Sequence, residues 1–123
     1  MNTKTKNIIG WVLAGLVAFV LIASGVQKLI GSPEMVEQSA KMGGLATLRI
    51  LGTLELVIAV LYLIPRTGVL GTLLAVAYMG GAMATHLVGG MPILIPTIIQ
   101  ILIWITSAIR FPELTTRLVG SKP

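Results

Sequence analysis

LATLRILGTLELVIAVLYLI, residues 45–64, is an apolar run interrupted by two charges, Arg49 and Glu55. As a helix, at about 1.5 Å per residue, it spans roughly 30 Å, the thickness of the hydrocarbon layer of a bilayer. An open strand would leave its backbone groups unpaired in lipid, so helix is the spanning form. A carboxylate inside such a run needs a reason, and that reason bears on what the chain does.

The rest of the sequence has the same character. Its 123 residues are 55% hydrophobic and 11% charged, with mean hydropathy +0.97. A soluble domain carries far more charge on its surface. The length fits one transmembrane domain, residues 1–123. There is no cysteine, which removes disulfides, thiol redox chemistry and Cys-based metal or iron–sulfur sites. With a single histidine, no metal site is expected. The net charge of +5 is not gathered into a basic cluster with aromatics, so nucleic acid is not expected as a partner.

Four spans follow, at about 8–30, 45–64, 69–88 and 93–109. The first resembles a signal peptide in its basic start and small residues Ala23, Ser24 and Gly25, but its apolar run is long for one, and a retained helix is expected. PRTG (Pro65–Gly68) and VGGMP (Val88–Pro92) are short links, which make neighbouring helices antiparallel. GSPEMVEQSAKMGG (Gly31–Gly44) is longer. Ser32 suits an N-cap, Pro33 the first helical position and Glu34 the positive helix end, while Gly43 and Gly44 can stop a helix. The fold class expected is all-α: an integral membrane antiparallel four-helix bundle with a short interfacial helix between the first two spans.

Lys4, Lys6, Arg66, Arg110, Arg117 and Lys122 fall on one side of this layout, and Lys28, Lys41 and Arg49 on the other. The positive-inside rule then gives a multi-pass membrane protein with both termini cytoplasmic. Trp11 and Trp104, near the inner ends, fit an aromatic belt.

On a helical wheel Glu55 shares a face with Leu48, Gly52, Ala59 and Tyr62. The opposite face carries Ile50, Thr53, Val57, Val60 and Ile64. A lipid-facing charge costs at least about 2.5 kcal/mol, so Glu55 is expected to point into the bundle. Each other helix offers one polar stripe: Ser24, Gln27 and Lys28; His86 with Ala75, Met79 and Ala82; Pro96, Gln100, Trp104 and Ser107. Depth along the helices arranges Arg49, Lys28, His86, Ser24, Gln100 and Tyr78 as a funnel from the outer face, ending at Glu55. Lys28 is a better ion-pair partner for Glu55 than Arg49, which stands about two turns away and 120° round the helix. The bland readings are a packing clamp for Glu55, a solvated interfacial histidine for His86, snorkelling boundary residues for Lys28 and Arg49, and a helix–helix hydrogen bond for Gln100. Ala77, Gly81 and Ala84 form a small-residue ridge suited to close helix contact, and a homo-oligomer is expected.

Four segments carry a resemblance: ASGVQKL (Ala23–Leu29), PEMVEQSAKMGG (Pro33–Gly44), LGTLELVIAVLYLIPR (Leu51–Arg66) and MATHLVGG (Met83–Gly90). Together they resemble the DoxX-like family of small bacterial membrane proteins, over Leu21 to about Gly90. The family's acidic residue after a Leu-Gly in the second helix corresponds to Glu55. Its histidine closing the third helix corresponds to His86. Its Ser-Gly followed by a lysine corresponds to Ser24, Gly25 and Lys28. The loop here runs Gly-Gly-Leu-Ala where the family often has a glycine followed by proline. The resemblance implies a membrane subunit linked to quinone-coupled oxidation or to oxidant stress, with a quinone as cofactor or ligand.

Three functions are open at this level. One is a site for a lipid-soluble small molecule such as a quinone, with polar contacts from Glu55, Tyr78, Gln100 and His86 and an apolar slot from Leu48, Met79 and Trp104, in a membrane subunit whose electrons come from a redox partner. The second is a small proton-coupled exporter, although exporters of this size carry their glutamate in the first helix. The third is a structural or assembly subunit that packs through the small-residue ridge.

Overall fold

A computed structural model describes residues 2–41 and 43–120, and all of its regular structure among them is helical. Met42 of the first loop and Lys122 of the charge count lie outside the described residues. The helices are α1 (Thr3–Ile30), α2 (Pro33–Ser39), α3 (Leu45–Leu63), α4 (Gly68–Val88), α5 (Leu94–Arg110) and α6 (Pro112–Leu118), with a single 3₁₀ turn at Pro65–Thr67. α1 packs on α3, α3 on α4, α4 on α5 and α5 back on α1, closing a ring of four helices.

Local chemistry sets the helix ends. α1 begins five residues before the apolar run, because the Asn2 Oδ1 accepts the Thr5 N–H at 2.8 Å and opens the helix inside the basic leader. Gly31, at φ 72°, ends it in the left-handed conformation that glycine adopts without a Cβ penalty. α2 has the expected start, with Ser32 Oγ accepting from Met35 N and Pro33 in first position. The Gly43–Gly44 pair, both at positive φ, replaces the glycine–proline step and starts α3 at Leu45 without a side-chain cap. The expected PRTG turn is the 3₁₀ turn. α6 was not foreseen: Pro112 and Glu113 open it, and it bends 112° away from α5.

The packing is inverted relative to a soluble domain. The seam of α1 is Gly10, Ala14, Val17, Ala18, Leu21, Gly25 and Lys28, in which the small residues Gly10, Ala14, Ala18 and Gly25 let neighbouring helices approach. Ala59, Tyr62, Ala75, Met79 and Ile103 complete the centre from the other three helices. Large apolar side chains face outward instead, among them Phe19 at 69% exposure and Ile50 at 61%. In water such a surface would be an aggregation liability, whereas in lipid it costs nothing. α1, α3 and the segment Pro65–Val88 are each long and apolar enough to cross a membrane. The expected fourth span is the short one: α5 has 17 residues and reaches that length only together with the bent α6.

Close approach of α1 and α3 is enabled at one crossing. A Cβ on Gly25 would lie 2.9 Å from the Gly52 carbonyl oxygen, and one on Gly52 would lie 2.8 Å from that of Gly25. No real side chain fits there, so both positions need glycine for the two backbones to touch. This crossing brings Lys28 and Glu55 to the same level.

Candidate functional site

The wheel of α3 orients as its sequence suggests. Leu48, Gly52, Glu55, Ala59 and Tyr62 are buried, and Ile50, Thr53, Val57, Val60 and Ile64 are exposed. Glu55 is 3% exposed and Lys28, one helix away, 7%. Lys28 Nζ donates to Glu55 Oε1 at 2.8 Å and to Ser24 Oγ at 2.6 Å. Ser24 Oγ donates to the same Oε1 at 3.3 Å. This is the one ion pair among the described residues. Ser24 and Lys28 stand one turn apart on α1, so both reach the carboxylate from the same face. Glu55 Oε2, by contrast, is buried with no hydrogen-bond partner among the described residues.

That unpaired oxygen belongs to a residue lining a cavity of about 560 Å³. Lys28, Ser24, Tyr78 and His86 line it too, so five of the seven residues named from sequence share one cavity. His86 Nδ1 lies 2.7 Å from the Ala82 carbonyl oxygen one turn back. A carbonyl only accepts, so Nδ1 is the donor in this contact and Nε2 is left free of it. The walls are apolar, from residues such as Leu51, Met79, Ile95 and Ile99. Exposed lining residues Gln38, Gly81, Pro92 and Ile95 mark the mouth.

Two named residues lie elsewhere. Arg49 is exposed on the outer side of α3 and lines no part of the cavity. Its stagger round the helix carries it away from Glu55. Gln100 also falls outside; its Nε2 donates to the Val76 carbonyl oxygen at 3.1 Å, tying α5 to α4. Gln27 is exposed rather than part of the α1 stripe. Of the expected apolar slot only Met79 lines the cavity: Leu48 is wholly buried in packing, and Trp104 is 36% exposed. Sequence reasoning missed Met35 and Gln38 of α2, and Thr85, Met91 and Pro92 where α4 passes into α5. The Ser32-Pro33 cap located α2, but nothing in a linear sequence says that this helix folds back over the bundle.

The chain belongs to the DoxX-like family, whose model matches residues 12–109. The match covers α1 from its third turn to the last turn of α5, and so every side chain around the cavity. No curated protein and no solved structure matches the chain.

Proposed function

Starting from a DoxX-like membrane protein, we propose that this chain binds a lipid-soluble small molecule with a polar, hydrogen-bonding head, a quinone or quinol being the best fit, in the cavity at Glu55. In this reading α1, α3, α4 and α5 cross the inner membrane as an antiparallel bundle with both termini in the cytoplasm, and α2 lies at the outer boundary. The carrying observation is the buried, unpartnered Oε2 of Glu55 beside an ion pair already satisfied on its other oxygen. A native buried acceptor left without a donor marks a place where a further group belongs.

The geometry suits a ring with an oxygen at either end. A quinol hydroxyl can donate to Glu55 Oε2. A quinone carbonyl can accept from the Lys28 ammonium, which has three protons and spends two on Ser24 and Glu55. Tyr78 and the His86 Nε2 stand in the same cavity as second polar contacts and as proton carriers. Leu51, Met79, Ile95 and Ile99 supply the apolar walls. The exposed Gly81 and Ile95 at the mouth give a route from the lipid phase. Electrons would come from a redox partner protein.

The test is a titration of a short-chain quinone into the protein in mild detergent. The reading requires saturable binding that weakens about tenfold in Glu55→Gln, which loses the charge holding Lys28 in place. Non-saturable partitioning that is equal in the two proteins would refute it. A second reading rests on the exposed ridge of α4. Among the described residues no atom of another element lies within 4 Å of a Cβ built at Gly80 or Gly81, so this face is open to a neighbouring subunit. The protein would then act in assembly, and Glu55→Gln would lower the yield of a complex instead of ligand binding.

A further inference from the structure

A second polar site stands at the other end of the bundle, independent of the Glu55 cavity. α1 separates the two: Lys6 and Ser24 are 18 residues apart, or about 27 Å along the helix. Here the ends of α1, α3 and α5 meet. The Arg110 guanidinium packs against three rings, with its Cζ 5.2 Å from the centroid of Trp11, 4.9 Å from Tyr62 and 4.8 Å from Phe111. Two glycines make the space. A Cβ on Gly10 would lie 3.2 Å from the Arg110 Cγ, and one on Gly68 would run into the Phe111 ring. The arginine is therefore built into this corner rather than snorkelling loosely from it.

The corner has no anion of its own. No carboxylate pairs with Arg110 among the described residues, and its Nη1 is buried without a hydrogen-bond partner. Beside it lies a pocket of about 160 Å³ lined by Lys6, Asn7, Trp11, Pro65 and Phe111 together with Arg110. A single water needs only about 10–15 Å³ of such space, so the pocket has room for a group the size of a phosphate. Two cations and an amide converge on it, and a guanidinium held flat by aromatic rings presents its N–H groups in a fixed fork suited to phosphate oxygens. Trp11, 50% exposed, borders the pocket as tryptophans do at headgroup level.

We propose that this pocket holds a phosphate group, supplied by the headgroup of an anionic phospholipid in the leaflet next to the chain's N-terminal end. Arg110 grips the phosphate through Nη1, Lys6 closes over it, and Asn7 supplies a neutral contact. Lys4, Arg66 and Arg117, which adjoin the segments of Lys6, Pro65 and Phe111 that line the pocket, favour a net-negative lipid over a zwitterionic one.

The test uses the intact protein with Trp104→Phe, so that Trp11 is the remaining tryptophan. It is placed in nanodiscs of zwitterionic lipid, and brominated phosphatidylglycerol or brominated phosphatidylcholine is added as quencher. The proposal requires phosphatidylglycerol to quench Trp11 at about fivefold lower mole fraction, with that preference lost in Lys6→Gln and reduced in Arg110→Lys. Lys6→Gln removes the charge while keeping a polar side chain on the first turns of α1, so it keeps the test valid should the arginine variant fold poorly. In a parallel arm, inorganic phosphate is titrated against the detergent-solubilised protein. A saturable Trp11 response abolished by Lys6→Gln, without lipid preference, keeps the phosphate site and assigns it to free phosphate. Equal quenching by both lipids and no response to phosphate would overturn the proposal, leaving Arg110 as an aromatic-packed structural cation.

Discussion

Consider removing the Lys28 side-chain charge with Lys28→Met. The ammonium makes a 2.8 Å contact with a carboxylate whose side chain is 4% exposed, so the two charges are held out of water together. Breaking a buried pair by deleting one partner costs about 3–5 kcal/mol, because the remaining charge is left uncompensated. Here the penalty is sharpened, since among the described residues Ser24 at 3.3 Å is the one other donor within hydrogen-bond distance of Glu55, and Oε2 has none. Glu55→Gln strands Lys28 in the same way, softened by the amide oxygen, which still accepts. The double variant Lys28→Met/Glu55→Gln buries no charge and should recover most of the loss, giving a coupling of about 3 kcal/mol between the two sites. The assay is equilibrium unfolding in mixed micelles with rising denaturing detergent, run on all four proteins of the cycle. Single-variant effects that add to within about 0.5 kcal/mol would refute the reasoning, because independent sites do that and a desolvated pair does not.

Further outcomes follow from the same geometry. Gly52→Ala, which sets a Cβ 2.8 Å from the Gly25 carbonyl oxygen, should cost about 1–3 kcal/mol in the same unfolding assay and weaken quinone binding by displacing Lys28 from Glu55. His86→Phe removes one intrahelical hydrogen bond, so folding should change by about 1 kcal/mol or less while binding in the short-chain quinone titration falls severalfold. Gln100→Leu should leave ligand affinity unchanged and cost about 0.6 kcal/mol, the typical worth of an interhelical hydrogen bond in lipid. With no native cysteine, single cysteines at Thr3 and Gln38 report topology directly: a membrane-impermeant maleimide applied to intact cells should label Gln38→Cys and spare Thr3→Cys.

How much of this was legible in the sequence depends on the range of the interaction involved. The long apolar helices α1, α3 and α4 follow from the runs of apolar residues, and the buried face of α3 follows from helical period with one costly charge to orient it. The choice of Lys28 over Arg49 followed from stagger round a helix, because Arg49 and Glu55 share one helix and their angular offset is fixed. Features that depend on which helices become neighbours were not legible. Gln100 is expected among the polar groups around Glu55, yet α5 turns it onto the Val76 carbonyl of α4. Trp104 faces outward rather than into the cavity. α2 contributes Met35 and Gln38 to the lining because its short helix folds back, a matter of tertiary packing. Arg110 read as one more charge in an orientation count. Its three aromatic neighbours come from α1, α3 and the turn into α6, which no local window contains.

The most direct measurement of the central claim is mass spectrometry of small molecules that co-purify with the protein in mild detergent, for the unmodified chain and for Glu55→Gln. The account predicts a lipid-soluble molecule with hydroxyl or carbonyl oxygens, a quinone or quinol, retained by the former and depleted from the variant. Identical preparations from both proteins, each without such a molecule, would contradict it and return Glu55 to the role of a packing clamp.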